Sequence, residues 1–474
     1  MDSVADCMLL NVKLQSKPGR GMALFLIDIL SWSAVWLASM PTCHAQAAGD
    51  SNPAPTVAPV AITLDEAIKR AETSDPAYAA AAAERGATAL DRSIALNGLL
   101  PGVVYHNQAL YTQPNGQTNQ AGQGVASQPA PRFIANNAVR EYASQASINE
   151  TLGLAGVAAV RHADAVSAKA AAEFEIARRG LVAGVTEMFY SSLAADQKLA
   201  VAERAHQESA DFTKLTQQRE NAREAAHADT VKAQLEEQQH NRDLEDAQLA
   251  AEKARLELGI LLFPDPRTPF TLQPPGVRPT LGTREDAEQA AAKNNPQLKS
   301  ALAALDASKA DVLSARAAYL PDLGMNVTYG IDAPQLAVNG PDSVKNLGYS
   351  ASVTLDIPVW DWLSTAHRVK QSEIRRDAAA TALTNAQRSL IADIDEVYSD
   401  AAAAQGQLDS LDQSVKDAAE SLRLTKLRYT AGEATVLEVV DAQNEYVTIQ
   451  NAREDGQVRF QTAMANLATL TGNN

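Results

Sequence analysis

From Leu347 onward the apolar residues fall at every second position: Leu347, Tyr349, Ala351, Val353, Leu355, Ile357 and Val359. Gly348, Ser350, Ser352, Thr354, Asp356 and Pro358 lie between them. Leu323, Met325, Val327, Tyr329 and Ile331 alternate in the same way with Gly324, Asn326, Thr328 and Gly330. A period of two puts one residue class on one face of a strand. Weaker versions occur upstream, at Tyr105, Ala109 and Tyr111 and at Tyr142, Ala146, Ile148 and Leu152. The pattern predicts strands at about 101–112, 140–152, 321–332 and 347–359. Pro101 and Pro321 end the helices before each strand pair, because proline disfavours helix at the residue before it.

A second period governs the rest. Ile394, Val397, Ala401, Ala404, Leu408, Leu411, Val415, Ala418, Leu422 and Thr425 alternate spacings of three and four, a sustained coiled-coil seam. From Trp362 to Gly432 only Gly406 interrupts it, so a helix of about 65 residues is predicted, roughly 100 Å long. In "RYTAGEATVLEVVDAQNEY", Arg428 to Tyr446, the helix stops at Thr430-Ala431-Gly432 and a new one begins. The new helix carries Glu438, Asp441 and Glu445 on one face, where like charges repel.

The chain is written twice. "TLDEAIKRAETSDPAY" at Thr63 is answered by "TREDAEQAAAKNNPQL" at Thr283. Leu100-Pro101 and Leu320-Pro321 share that offset of 220. Past them the offset falls to 207 at Tyr142 and Tyr349 and ends at 209. The first copy therefore has 13 extra residues (220 less 207), in a Gly/Gln/Asn/Pro-rich loop. Thr63 with Glu66, and Thr283 with Asp286, resemble capping boxes. The expected organisation is a signal peptide at 1–47, a first repeat at 48–262, a Pro-rich linker at 263–282 and a second repeat at 283–474.

Composition narrows the functions. The chain is 46% hydrophobic but only 5% aromatic, so its apolar content is small, chiefly alanine, and suits close helix packing. A formal net charge of −16 argues against nucleic acid as partner. Lys13, Lys17 and Arg20 precede "MALFLIDILSWSAVWLASM" and then "CHAQA", the order of a secretory signal; an uncleaved anchor is the other reading. Both cysteines, Cys7 and Cys43, lie there, so thiol chemistry is not expected downstream. Lipidation of Cys43 would need a different sequence before it than "MPT".

Strands of about 10 to 13 residues approach the ~9–11 that span a bilayer when tilted, and an open sheet cannot sit in lipid. Four strands cannot close alone, and about eight would be filled by side chains. Three chains would give twelve, with Asn326, Thr328, Ser350, Ser352 and Thr354 toward a lumen. Trp360 and Trp362 would then form a membrane-interface belt. A soluble sandwich would explain alternating strands but not the signal, the duplication or the helix length.

The repeated "TLDEA…DP" opening, the "LP" pairs and "RYTAGEATVLEVVDAQ" resemble the TolC-like outer-membrane efflux proteins, over roughly Thr63 to Gly472. The resemblance implies a mixed α and β homotrimer. Its trimeric 12-stranded β-barrel in the outer membrane is continued by a 12-helix periplasmic tunnel. It implies a passive exit duct for a tripartite efflux or type I secretion system. Partners would be a periplasmic membrane-fusion adaptor, an inner-membrane pump and outer-membrane lipid. It also implies a periplasmic gate. Glu438 and Asp441 match positions of axis-facing carboxylates, Asp229 an interprotomer contact and Tyr429 a constriction tyrosine. Rings of carboxylates would favour cations. Ala434 stands where members carry a basic residue, and Arg223 is the first-copy counterpart of the turn residue Gly432. Either the first turn closes differently or Arg223 supplies charge to the mouth.

Local chemistry offers plainer roles. Glu438 with Thr435 forms a capping-box pattern, Gly432 suits a left-handed turn, and Tyr429 could simply pack. Gly180 and Gly184 read as close helix packing. No catalytic constellation is expected: the histidines are dispersed, with no zinc spacing and no phosphate loop, so neither metal nor cofactor is implied. The alternative is a periplasmic coiled-coil adaptor or scaffold without a barrel.

Overall fold

The computed structural model describes residues 60–111, 140–274, 276–333, 336–340 and 345–472. The expected signal peptide, Cys7, Cys43 and the Gly/Gln-rich loop lie outside these residues.

The order helix, helix, strand, strand, long helix, helix occurs twice. The first run is α1 (Leu64–Ser74), α2 (Pro76–Asn97), β2 (Gly102–Tyr111), β3 (Arg140–Leu152), α3 (Leu154–Asn221) and α4 (His227–Leu262). The second is α5 (Arg284–Asn294), α6 (Pro296–Ala317), β5 (Asp322–Ala333), β6 (Leu347–Asp356), α7 (Ser364–Thr430) and α8 (Val436–Thr471). Two short strands, β1 (Val60–Ile62) and β4 (Phe270–Leu272), pair in parallel and bring the linker to the start of the first run. Both runs open alike. Thr63 Oγ1 accepts the Glu66 N–H at 3.4 Å and Thr283 Oγ1 that of Asp286 at 3.2 Å. Neither completes the expected box: Glu66 turns to Arg70 at 2.8 Å, and Asp286 accepts the Thr283 hydroxyl at 2.7 Å. Asp75 and Asn295 then cap α2 and α6, whose first residues are Pro76 and Pro296, where no N–H is needed.

The four longer strands form one antiparallel sheet in the order β2-β3-β5-β6. Its register sorts side chains by face. Val103, Ile148, Val327 and Ala351 form one row, and Tyr105, Ala146, Tyr329 and Tyr349 the next. Between them, on the other face, lie Val104, Ser147, Thr328 and Ser350. The apolar face is exposed: Tyr329 is 57% and Tyr349 83% accessible. Among the described residues no core covers it, the reverse of a soluble sheet. β6 is shorter than expected, ending at Asp356 opposite Asp322, the first residue of β5. Past it, Pro358 has no N–H to offer a ladder.

At the strand-to-helix junction Trp360 and Trp362 meet edge to face, 5.9 Å between centroids, and both are exposed. Trp362 and Leu363 take left-handed backbone, φ 57° and 64°. Asp361 Oδ2 accepts the Thr365 N–H at 2.6 Å and starts α7.

The helices α3 and α7 run 68 and 67 residues. The predicted seam is the buried one: Ile394, Ala401, Ala404, Leu408, Ala418 and Leu422 are buried and the others half-buried. Ala401, Ala404 and Leu408 pack on Phe460 and Ala463 of α8. Nearer the linker, Arg278 holds Asp409 and Asp412 of α7, each at 2.9 Å, and Arg453 of α8 reaches Asp412 at 3.0 Å. The close packing expected at Gly180 and Gly184 is not made among the described residues, where a Cβ on either would meet nothing within 4 Å.

Candidate functional site

Two tight turns join the long helices to their partners, α3 to α4 and α7 to α8. The second closes with Ala431 N–H to Leu427 O, Gly432 N–H to Tyr429 O and Glu433 N–H to Arg428 O. The first closes with Ala222 N–H to Gln218 O, Arg223 N–H to Glu220 O and Glu224 N–H to Arg219 O. These are the same three bonds, 209 residues apart. Gly432 has φ +82° and Arg223 φ 64°, so the arginine adopts the left-handed conformation glycine takes without penalty. The first turn therefore does not close differently, and Arg223 stands exposed at its tip.

The caps beyond the turns differ. Thr435 Oγ1 accepts the Glu438 N–H and Glu438 Oε1 accepts the Thr435 N–H, both at 3.3 Å, a full capping box. Glu438 also faces Arg428 across the turn at 3.5 Å. In the first turn Ala226 has no side-chain acceptor, and only Asp229 Oδ2 reaches back, to the Ala226 N–H at 3.4 Å. His227 Nδ1 lies 2.8 Å from Glu220 and bridges the turn instead.

An apolar cluster binds the turns together. Phe212 of α3, Ala233 of α4, Tyr429 of α7 and Val436, Val439 and Val440 of α8 are all buried. Tyr429 packs against Phe212, 5.1 Å between ring centroids. Arg219 of α3 lies over the Tyr429 ring, 4.7 Å from its centroid. It also donates to Tyr429 O and Thr430 O, both at 2.8 Å. These are C-terminal carbonyls of α7, which lack partners within the helix and sit at the negative end of its dipole. A guanidinium from one hairpin thus grips the turn of the other.

The expected site residues are consequently in different situations. Tyr429 is buried and held. Glu438 is committed to a cap and an ion pair. Asp229 is half-buried in a partial cap, while Asp441, one turn further along α8, is exposed. Arg219, Arg428 and Phe212 went unread in the sequence. The signal was there: Arg219 and Arg428 stand 209 apart, the offset of the repeat, and each precedes its turn by the same distance.

Higher on the same helices Asp412 carries a shifted carboxyl. Burial alone would push it up, but hydrogen bonds from Arg453 and Arg278 leave it below the ordinary 3.8.

Residues 288–473 match the family described as outer membrane efflux protein. The chain is 26% identical over 296 residues to the protein CyaE of Bordetella pertussis, covering 61% of this chain and 62% of that protein. It is 26% identical over 306 residues to the outer membrane protein OprJ of Pseudomonas aeruginosa, covering 62% of each. The chain thus spans about three fifths of the length of these curated relatives. Its fold is similar to that of the outer membrane protein VceC of Vibrio cholerae, with a TM-score of 0.71 at 17% identity, over 87% of this chain and 96% of that one.

Proposed function

We propose that this chain, TolC-like in sequence over its second half and in fold over most of its length, is an outer-membrane channel. It would serve a tripartite efflux or type I secretion system as a passive exit duct and not as an enzyme. The observation that carries this is the sheet. Its four strands expose an apolar face and leave β2 and β6 as free edges among the described residues, directly above helices about 100 Å long. Lipid would cover the apolar face, and pairing β6 of one copy with β2 of the next would satisfy both edges. Three copies of four strands make a twelve-stranded barrel with the Ser/Thr/Asn face inward, and their long helices a periplasmic tunnel. Trp360 and Trp362, both exposed at the strand-to-helix junction, would form the membrane-interface belt. Residues 1–47 would be the export signal. Docking to a periplasmic adaptor and an inner-membrane pump would supply energy, and no nucleic acid would be involved.

The paired turns would form the periplasmic mouth. Asp441 is the best candidate for an axis-facing ring of three carboxylates, being exposed and outside the cap. Glu438 would contribute charge tempered by Arg428, and Asp229 would meet a neighbouring copy. With Ala434 in place of a basic latch, Arg219 on the Tyr429 and Thr430 carbonyls is the contact that would hold the mouth shut within each copy. The assembly is tested by the mass of the purified protein in detergent and by cysteine pairs placed on β2 and β6. Three chains cross-linked from edge to edge are expected; a single chain without intermolecular cross-links would refute the barrel.

A further inference from the structure

Above the apolar cluster the four helices of the paired hairpins change character together. α3 contributes Glu208, α4 Glu236 and His240, α7 Lys426, and α8 Gln443, Asn444 and Tyr446, all within about two turns of helix. Lys426 pairs with Glu208, Asn444 donates to Glu236 Oε1 at 2.6 Å, and Gln450 donates to Tyr446 at 2.7 Å. At the centre lies a cavity of about 60 Å³ lined by Gln443, His240, Tyr446, Val201 and Leu422. Gln443 is 4% accessible, and neither its Oε1 nor its Nε2 has a protein partner. His240 is 3% accessible, with Glu236 at 3.7 Å from Nε2 and Asp243 at 3.6 Å from Nδ1. The two carboxylates lie against opposite ring nitrogens, so the three groups cannot converge on one metal ion.

A buried carboxamide with both ends unpaired is costly, and natural proteins satisfy such groups with water where space allows. The space is several times the ~10–15 Å³ that one water centre needs. The ligand must both donate and accept and must be small; of the charged side chains that also line the cavity, Glu208 already has Lys426 and Arg204 donates to Ala200 O at 3.0 Å. We propose that Gln443, His240 and Tyr446 form a built water site, and that this wet layer is where the tip of the two hairpins pivots. Below it the tip is packed on apolar side chains and clamped by Arg219; above it Arg278 and Arg453 staple α7 and α8. Motion concentrates in the layer whose contacts are exchangeable water bonds rather than packed side chains. The tip would then move as one body, with the Arg219 grip intact through part of the opening.

This inference rests on the channel reading for its consequence but not for its site. The test is Gln443→Leu in the full-length assembly, read by amide hydrogen exchange along α8 and by channel recordings. Drying the layer should slow exchange of residues 439–447 at least tenfold and make openings rarer by a similar factor. Exchange that is unchanged or faster would overturn the water site. Slower exchange with unchanged openings would overturn the pivot. If Gln443→Leu does not assemble, Gln443→Met is read in the same way. Should neither wild type nor variant conduct, the channel reading fails and exchange still decides the site.

Discussion

The first and second turns share their three closing backbone hydrogen bonds and almost none of their chemistry. The second closes on Gly432, is capped by Thr435 and Glu438 together, and has its carbonyls gripped by Arg219. The first closes on Arg223, is capped by Asp229 alone, and is bridged by Glu220 and His227. Turn geometry is thus set by where two helices must reverse, and several side-chain solutions satisfy it. What differs is how firmly each turn is held. The second is tied into the other hairpin, whereas the first is held mainly by itself.

The largest effect is expected from removing that tie. Arg219→Ala leaves the Tyr429 and Thr430 carbonyls without their charged donor, a loss on the order of 2 kcal/mol for a charge-assisted pair. Channel recordings should show open occupancy rising about tenfold or more, while Arg223→Ala changes it little. Equal effects would erase the contrast. Exchanging the turn residues comes next. Gly432→Arg should destabilise the hairpin by about 1–2 kcal/mol and Arg223→Gly should stabilise it by about 1 kcal/mol, both read by denaturant unfolding. Thr435→Ala should cost about 1 kcal/mol through its lost cap, and Ala226→Ser should recover a few tenths in the first turn. The smallest effect tests the staple above both turns. The folded-state carboxyl of Asp412 lies below its ordinary value. Its stabilisation is therefore present above pH 3.8 and lost as pH falls through the lower folded value. Wild type should lose more stability than Asp412→Asn between pH 5 and pH 2 in thermal melts; parallel curves would remove Asp412 from the account.

Much of this architecture was legible because its signals are periodic. Alternation located all four strands to within a few residues, and the three-four seam located α7 and its buried face. The repeat offset aligned the two turns. Three things escaped. Pro358 cut β6 short, because apolar alternation continues past the point where the backbone can pair. Gly180 and Gly184 face open space, because spacing does not say which neighbour is present. The Arg219 grip could not be read, since an arginine near a helix end has many solutions and only the packed pair of hairpins selects one. Of the expected gate residues, Asp441 retains an open role, Glu438 has a structural one, and Tyr429 serves as the surface on which Arg219 lies.

The most direct measurement is conductance of the purified mature protein in a planar bilayer, with a trivalent cation added on the helical side. The account predicts a low-conductance pore blocked from that side, with block weakened by Asp441→Asn and the trimer intact. A protein that stays soluble and never conducts would contradict the channel, and block unchanged by Asp441→Asn would contradict the acidic mouth.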